Sequence, residues 1–216
     1  MTPERGCAVR VSDEPWQGDL AVTGPEAVTP ERIVEAARRK LGLPLIIAEW
    51  GGTELRELTP EDYPAVCALV REAGGDRFSS ETRLEESDLL SSETRLADPE
   101  YYEAYVRNQY PLFGYGLWGL FRKNSGQLTG IAGFSAPPDD GSDLELGYHI
   151  AEAFRRQGYG LAACRAALAY AAEELGAERI TLRIRRENRP SLCFSEKLKA
   201  SLPQMKGRLR INITIL

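Results

Sequence analysis

Histidine and cysteine are scarce in this chain of 216 residues, which argues against a metal site. There is one histidine, His149, and there are four cysteines, at positions 7, 67, 164 and 193. No two of the cysteines form a Cys-x-x-Cys pair, whereas zinc sites need about four ligands at short spacings. We therefore expect no metal. We expect Cys164, on an apolar helix face, to be a reduced and buried thiol, as in a reducing cytoplasm.

Long apolar runs are also missing, so we expect no membrane-spanning helix. The first six residues, Met1 to Gly6, do not join a basic start to an apolar core, and a secretory signal is not expected. The net charge of -5 and the pI of about 5.2, without a basic and aromatic cluster, disfavour nucleic-acid binding. The 43% of hydrophobic residues is enough for a sizeable core. These features favour a cytoplasmic globular protein.

The charge is unevenly distributed along the chain. Residues 151–216 hold 13 Lys/Arg and 6 Asp/Glu, whereas residues 1–150 hold 14 and 26. A basic half suits a polyanionic ligand and an acidic half attracts a cationic amine. The alternative is that both sets are solvated surface, because halves of a sequence need not be halves of a fold.

Hydrophobic periodicity and turn residues predict an alternation of helices and strands. The predicted helices cover Pro30 to Leu41, Thr59 to Gly74, Asp98 to the residue before Pro111, and the segment after Gly158. The predicted strands are Leu43 to Trp50 (buried), Glu54 to Leu58, Tyr115 to Lys123, Gln127 to Ala136, Leu144 to Ile150, Ile180 to Ile184, and Leu209 to Ile215. Gly51-Gly52 predicts a boundary between residues 1–52 and 53–216. The repeat Ser-Ser-Glu-Thr-Arg-Leu at 79–84 and 91–96 indicates a local duplication in a polar connection, and a loop is expected at 137–141.

The segment Arg155-Arg156-Gln157-Gly158-Tyr159-Gly160 follows a predicted strand and opens a helix. Its glycines let backbone N–H groups approach a ligand, and a helix N-terminus adds unpaired donors and partial positive charge. With two arginines, the pattern predicts a phosphate-binding turn. The alternative is a turn that only reverses the chain. A Rossmann-type nucleotide site is disfavoured because it needs Gly-x-Gly-x-x-Gly between parallel strands.

Arg-x-x-Gly-x-Gly after a strand resembles the coenzyme A signature of the GNAT superfamily of N-acetyltransferases. The segment Leu144 to Ile150 resembles that family's central strand, and Glu187 to Leu198 resembles its last helix. The order and spacing resemble the branch that includes the ribosomal-protein N-terminal acetyltransferases. The resemblance covers residues 53–216 and leaves 1–52 as an extension of unknown role. It implies an α+β fold, with a mixed, mostly antiparallel central sheet flanked by helices.

The resemblance implies acetyl-CoA as cosubstrate and assigns residues to it. The backbone of three strand residues would pair with the pantetheine arm, the turn would hold the pyrophosphate, and Asn188 would bind pantetheine. These candidates are Tyr148, His149, Ile150, Arg155, Arg156, Gln157, Gly158, Tyr159, Gly160 and Asn188. For Asn188, capping of the following helix is a second role compatible with the first.

The resemblance also implies direct acetyl transfer to a primary amine in a ternary complex. Glu145 and His149 are the candidate bases, although either can be purely structural. Ser191 is a candidate hydrogen-bond donor to the leaving thiolate, or only a helix-start residue. Many family members carry a tyrosine where this chain has Ser195. That difference keeps open a non-catalytic acyl-CoA sensor on the same fold.

A second departure from the family is Lys199-Ala200, which replaces the usual Gly-Phe. The sequence does not decide whether the acceptor is a protein N-terminus, a lysine or a small metabolite, and it does not decide the oligomeric state.

Overall fold

A computed structural model of the chain describes residues 9–11, 20–22, 28–74, 95–136, 144–202 and 209–216. Its elements, in chain order, are β1 (Val9–Val11), β2 (Leu20–Val22), α1 (Pro30–Lys40), β3 (Ile46–Trp50), β4 (Thr53–Arg56), α2 (Tyr63–Gly74), α3 (Pro99–Phe113), β5 (Leu117–Arg122), β6 (Leu128–Ser135), β7 (Leu144–Ile150), α4 (Tyr159–Glu173), β8 (Arg179–Ile184), α5 (Arg189–Ala200) and β9 (Arg210–Ile215). Short 3-10 turns lie at Pro60–Asp62 and Glu152–Phe154. The predicted loop at 137–141 and the repeat, apart from Arg95 and Leu96, lie outside the described residues.

The central sheet has seven strands in the order β3-β4-β5-β6-β7-β8-β9. The four pairs from β3–β4 to β6–β7 are antiparallel. The pairs β7–β8 and β8–β9 are parallel. This confirms the predicted mixed, mostly antiparallel sheet. Strands β7 and β8 pair only at Leu144↔Ile180 and Glu145↔Thr181. Beyond these two pairs they separate, and a cleft opens along the rest of β7.

Helix α3 shows why a proline need not end a helix. Asp98 caps it, accepting a hydrogen bond from the backbone N–H of Tyr101 at 2.8 Å. The predicted end before Pro111 is wrong, because the helix continues to Phe113. It ends at Gly114, which has a left-handed conformation with a φ of +73°. Tyr110 holds this last turn in place, since its hydroxyl donates to Leu117 O and accepts from Leu58 N. These tertiary hydrogen bonds outweigh the one backbone hydrogen bond that proline cannot make.

The prediction of a buried strand over Leu43 to Trp50 is wrong in its start and its burial. The strand begins at Ile46 and lies at the end of the sheet, where Leu43 and Ile46 are 48% and 40% exposed. Gly51 and Gly52, at φ +50° and +75°, form the two-residue turn that pairs Trp50 with Thr53. The segment before residue 53 thus supplies an edge strand, and the domain boundary at residue 52 stays a prediction.

The core lies on both faces of the sheet. Helix α4 packs on β6 and β7, and α2 contacts β6. Trp118 is fully buried and meets Phe134 and Tyr170 edge-on, with ring centroids 5.8 and 5.1 Å apart. Cys67 and Cys164 are both buried. Within the described ranges, no His, Cys, Asp and Glu side chains group in a way that can hold a metal ion, and no helix is long and apolar enough to cross a membrane.

Candidate functional site

The glycine-containing turn ends in an uncapped helix N-terminus. Arg156 and Gly158 both have left-handed backbone conformations, with φ values of +60° and +88°. No side chain in the described part of the chain caps α4, and the amide of Ala162 is bonded to Gly158 O at 3.0 Å. The amides of Tyr159 to Leu161 precede the first intrahelical bond, so helix geometry leaves them without an intrahelical acceptor. A Cβ built on Gly158 would meet nothing within 4 Å. The turn therefore presents open space beside a cluster of N–H donors, which fits an anion.

The polar side chains of the turn mostly bind the protein itself. Arg155 Nε donates to Ile150 O at 2.9 Å, and its Nη2 lies 3.9 Å from the Glu72 carboxylate. Gln157 Nε2 donates to Ala153 O at 2.8 Å. Glu72 also accepts a hydrogen bond from the backbone N–H of Glu152. Arg155 and Gln157 thus fix the shape of the turn, and Arg156 is the exposed cation beside it.

Tyr148 and Ile150 face the two helices that follow the turn. The point where a Cβ of Gly160 would lie is 3.4 Å from Ile150, 3.6 Å from Phe194 and 3.8 Å from Tyr148. The rings of Tyr148 and Phe194 stack with centroids 4.3 Å apart. The hydroxyl of Tyr148 lies 3.4 Å from Ser191 Oγ, as donor to acceptor. Tyr148 therefore joins β7 to α5 on this side of the sheet.

The two polar candidates on α5 have separate structural roles. Asn188 caps the helix, since its side-chain oxygen accepts from the backbone N–H of Ser191 at 3.2 Å. This confirms the capping role, and contact with pantetheine stays a prediction. Ser195 is 2% exposed and donates to Leu192 O at 2.7 Å. Ser195 is therefore turned into the helix.

Glu145 lies on the opposite face of β7 from Tyr148, because side chains alternate along a strand. Its carboxylate is 3.5 Å from Arg183 Nε, and both side chains are mostly buried. Glu145 also belongs to the last residue pair that joins β7 to β8. The ion pair thus spans the apex of the cleft. The sequence identified Glu145 but not Arg183, because nothing in the spacing shows which side chain of β8 reaches Glu145.

His149 shares the face of Glu145. Its Nε2 atom is buried and has no hydrogen-bond partner among the described residues. Burial lowers the pKa of His149 from its ordinary value, the nearby Arg155 lowers this pKa further, and Glu72 opposes both effects. His149 is therefore a neutral imidazole at neutral pH with an unused polar atom, and such an atom is a candidate ligand contact.

The structure places the candidates on two sides of one strand. The turn, Tyr148, Asn188 and Ser191 lie on the side of α4 and α5, whereas Glu145 and His149 lie on the other side. Between them, the described strands show no pairing of β7 with β8 beyond Glu145. A cleft between two strands that leads to a helix N-terminus fits an extended, amide-containing molecule that ends in phosphate groups. These residues therefore fit coenzyme A.

Comparison with known proteins gives matches over the same part of the chain. The family model described as acetyltransferase (GNAT) domain matches residues 53–201. The uncharacterized N-acetyltransferase YjdG of Bacillus subtilis (strain 168) is 29% identical over 102 residues, which are 47% of this chain and 60% of that protein. The chain thus spans less than two thirds of this curated relative.

Solved structures with the same fold include two acetyltransferases. A putative GnaT-family acetyltransferase from Bordetella pertussis is 21% identical, with 71% of this chain and 87% of that chain covered and a TM-score of 0.52. The ribosomal L7/L12 alpha-N-protein acetyltransferase RimL in complex with coenzyme A is also 21% identical, with 71% and 82% covered and a TM-score of 0.53. At these identities the likeness shows the shared fold.

Proposed function

We propose that this chain, which belongs to the GNAT family of acetyltransferases, transfers an acetyl group from acetyl-CoA to a primary amine. One observation supports this above all: the cleft between β7 and β8 leads directly to the uncapped N-terminus of α4. The cleft can take the pantetheine arm and the helix N-terminus can take the pyrophosphate.

Cosubstrate binding is assigned mainly to backbone groups. The backbone of Tyr148, His149 and Ile150 on β7 is assigned to the pantetheine amides, although the carbonyl of Ile150 already accepts from Arg155 Nε. The amides of Gly158, Tyr159 and Gly160 are assigned to the pyrophosphate, with Arg156 as an exposed cation beside them. Arg155 and Gln157 contribute indirectly, since their side chains hold the turn in shape. Asn188 uses its oxygen in the cap, which leaves its NH2 group for pantetheine.

Amine activation is assigned to the other face of β7. The acceptor enters as an ammonium and must lose a proton before it attacks. Glu145 is the proposed base, because it lies at the apex of the cleft, where the ion pair with Arg183 fixes its carboxylate. His149 is the second candidate, because its neutral ring has an unused Nε2 atom. The pH dependence of variants at both positions separates the two assignments.

A non-catalytic acyl-CoA sensor is the alternative. The observation that favours it is the orientation of Ser195, whose hydroxyl is used within α5 and so provides no proton donor at that position. A sensor would bind acetyl-CoA through the same turn and release no thiol with any amine.

The test combines calorimetry with acetyl-CoA and a thiol-release assay on a panel of amines. The panel contains peptides with free N-termini, including those of ribosomal proteins because RimL acts on one, lysine peptides with blocked N-termini, and small primary amines. Binding with thiol release in one group supports acetyl transfer and identifies the acceptor class. Binding without release for any amine selects the sensor, and absence of binding rejects both.

A further inference from the structure

We propose that Glu72 of α2 is a positioning residue for the cosubstrate, because it holds the phosphate-binding turn in shape from a different helix. The turn is Arg155 to Gly160, and the short 3-10 segment Glu152–Phe154 leads into it from β7. This inference rests on the proposed acetyl-CoA site and extends it, since Glu72 so far has no part in that site.

One oxygen of the Glu72 carboxylate contacts two groups at the entry to the turn. Oε1 accepts a hydrogen bond from the backbone N–H of Glu152 and lies 3.9 Å from Arg155 Nη2. Glu152 is 80 residues away from Glu72 along the chain. The carboxylate therefore ties α2 to the segment that connects β7 to α4.

The 3-10 segment lacks a side-chain cap of its own, because the residue before it is Ala151. The first N–H groups of a helical segment have no acceptor within it, and a side-chain oxygen just before the segment usually accepts one of them. Here Glu72 provides that oxygen from a distant part of the chain. The preceding amide, of Ala151, is bonded to Thr129 O on β6 at 2.9 Å. Two consecutive amides are thus held where the chain leaves β7.

Arg155 is held from two sides at the start of the turn. Its Nε donates to Ile150 O at 2.9 Å, and its Nη2 faces Glu72. The direction of the amides of Gly158 to Gly160 depends on the path that the chain takes from Glu152 onward. A turn whose path is fixed before binding loses less conformational freedom when phosphate groups bind.

The exposure of Glu72 separates this role from a contribution to folding. The side chains of Glu72 and Arg155 are 39% and 47% exposed. Exposed ion pairs contribute little to the free energy of unfolding, since they are screened by solvent. Loss of Glu72 should therefore change the affinity for the cosubstrate more than the stability of the fold. The opposite effect of a carboxylate near the turn would be repulsion of the phosphate groups, and its removal would then tighten binding.

The experiment measures acetyl-CoA affinity by calorimetry in the parent, Glu72→Ala and Glu72→Gln, with Glu103→Ala as matched control. Glutamine keeps an oxygen that can accept from the N–H of Glu152, whereas alanine removes it. We expect about 5- to 10-fold weaker binding in Glu72→Ala and affinity within about twofold of the parent in Glu72→Gln. Glu103→Ala breaks the exposed ion pair with Arg107 and should bind like the parent. All four proteins should unfold at the same denaturant concentration.

A second readout is the hydrogen exchange of single amides in the protein without cosubstrate, followed by NMR. The amide of Glu152 should exchange about tenfold faster in Glu72→Ala than in the parent or in Glu72→Gln. The amide of Ala151 is the internal control, because its bond to β6 is unchanged and its exchange rate should stay parental.

The outcomes separate this inference from the proposed function. Acetyl-CoA binding by the parent with unchanged affinity in Glu72→Ala overturns the role of Glu72 and leaves the acetyl-CoA site in place. Tighter binding in both Glu72 variants also overturns it, because the carboxylate would then act by repulsion. A loss of affinity in Glu72→Ala without faster exchange at Glu152 overturns the positioning mechanism. Absence of acetyl-CoA binding in the parent rejects the proposed function and, with it, the role of Glu72.

Discussion

Arg39 of α1 donates hydrogen bonds to the carboxylate of Glu57. Its Nε lies 3.1 Å from both carboxylate oxygens, and its Nη2 lies 2.6 Å from Oε1. The same carboxylate accepts from the backbone N–H of Leu45 at 3.1 Å. Glu57 is only 3% exposed. The segment before residue 53 is therefore attached to the rest of the chain through a buried ion pair and a strand.

Arg39→Ala should destabilise the fold strongly, because it leaves the Glu57 charge buried without its partner. We expect a loss of about 3–5 kcal/mol in the free energy of unfolding, measured by chemical denaturation. Arg107→Ala is the matched control. It breaks an ion pair with Glu103 whose side chains are 71% and 65% exposed, and should change stability little. Equal effects of the two substitutions would mean that burial of the Arg39 pair is unimportant.

A chain that begins at Gly52 should still bind acetyl-CoA with the affinity of the full chain, because the turn and the cleft lie after residue 143. It should be less stable and less soluble. Removal of β3 turns β4 into an edge strand, and removal of α1 leaves the buried Glu57 without its partner Arg39. Glu57→Gln in the truncated chain should recover part of the stability by removing the unpaired charge. A folded truncation that has lost acetyl-CoA binding would show that the extension helps to form the site.

Gly158→Val should weaken acetyl-CoA binding about tenfold or more. The substituted residue would have a strained left-handed backbone, and its side chain would fill the space beside the N–H donors. Gly176→Val is the control, since Gly176 also has positive φ, at +62°, with open space around it, but lies after α4. Both variants should lose similar stability, and only Gly158→Val should lose affinity in calorimetry. Parental affinity in Gly158→Val would exclude the turn as the phosphate site.

Glu145→Gln should lower kcat about 10²-fold at neutral pH while acetyl-CoA affinity is retained. Glutamine keeps the shape and removes the basicity. If Glu145 is the base, the deficit should shrink as the pH rises, because more of the acceptor amine is already neutral. A pH–rate profile parallel to that of the parent would leave Glu145 as a partner of Arg183 only and transfer the role of base to His149.

His149 should titrate below its ordinary pKa of 6.5, because burial and Arg155 disfavour its charged form. It is the only histidine, so its ring proton gives a single NMR signal. The folded state then binds this proton more weakly than the unfolded state. The free energy of unfolding should consequently fall as the pH drops through about 6.5, and level off below the folded-state pKa. His149→Gln should lack this slope. A histidine signal that titrates at or above 6.5 would contradict the assignment.

Much of the fold was predictable because its signals are local. Asp98 before Pro99, and Asn188 before Arg189 and Pro190, are caps recognisable from residue type alone, and both act as caps in the structure. The alternation of Ile180 to Ile184 predicts a half-buried strand, and that strand is present. Such features depend on neighbouring residues and on the two-residue period of a strand.

The errors arise where distant parts of the chain meet. The end of α3 depends on the hydroxyl of Tyr110, which accepts from Leu58 N and donates to Leu117 O. The exposure of Ile46 depends on β3 being the outermost strand. In the site, spacing identified the turn and Glu145, but the contacts of Glu145 with Arg183, of Arg155 with Ile150, and of Tyr148 with Ser191 all cross between elements. No local pattern encodes these pairs.

Strands β7 and β8 pair at only two residue pairs and then separate. A strand edge therefore lies in the middle of the sheet, between β7 and β8. Among the described residues, the pairing of β7 with β8 ends at Glu145 and Thr181, and we expect the β7 amides beyond this pair that point toward β8 to exchange with solvent deuterium faster than those bonded to β6. A bound pantetheine arm would act as a missing strand and slow this exchange. Ligand binding would then complete the sheet, and protection of the β7 amides should rise with occupancy of the cleft.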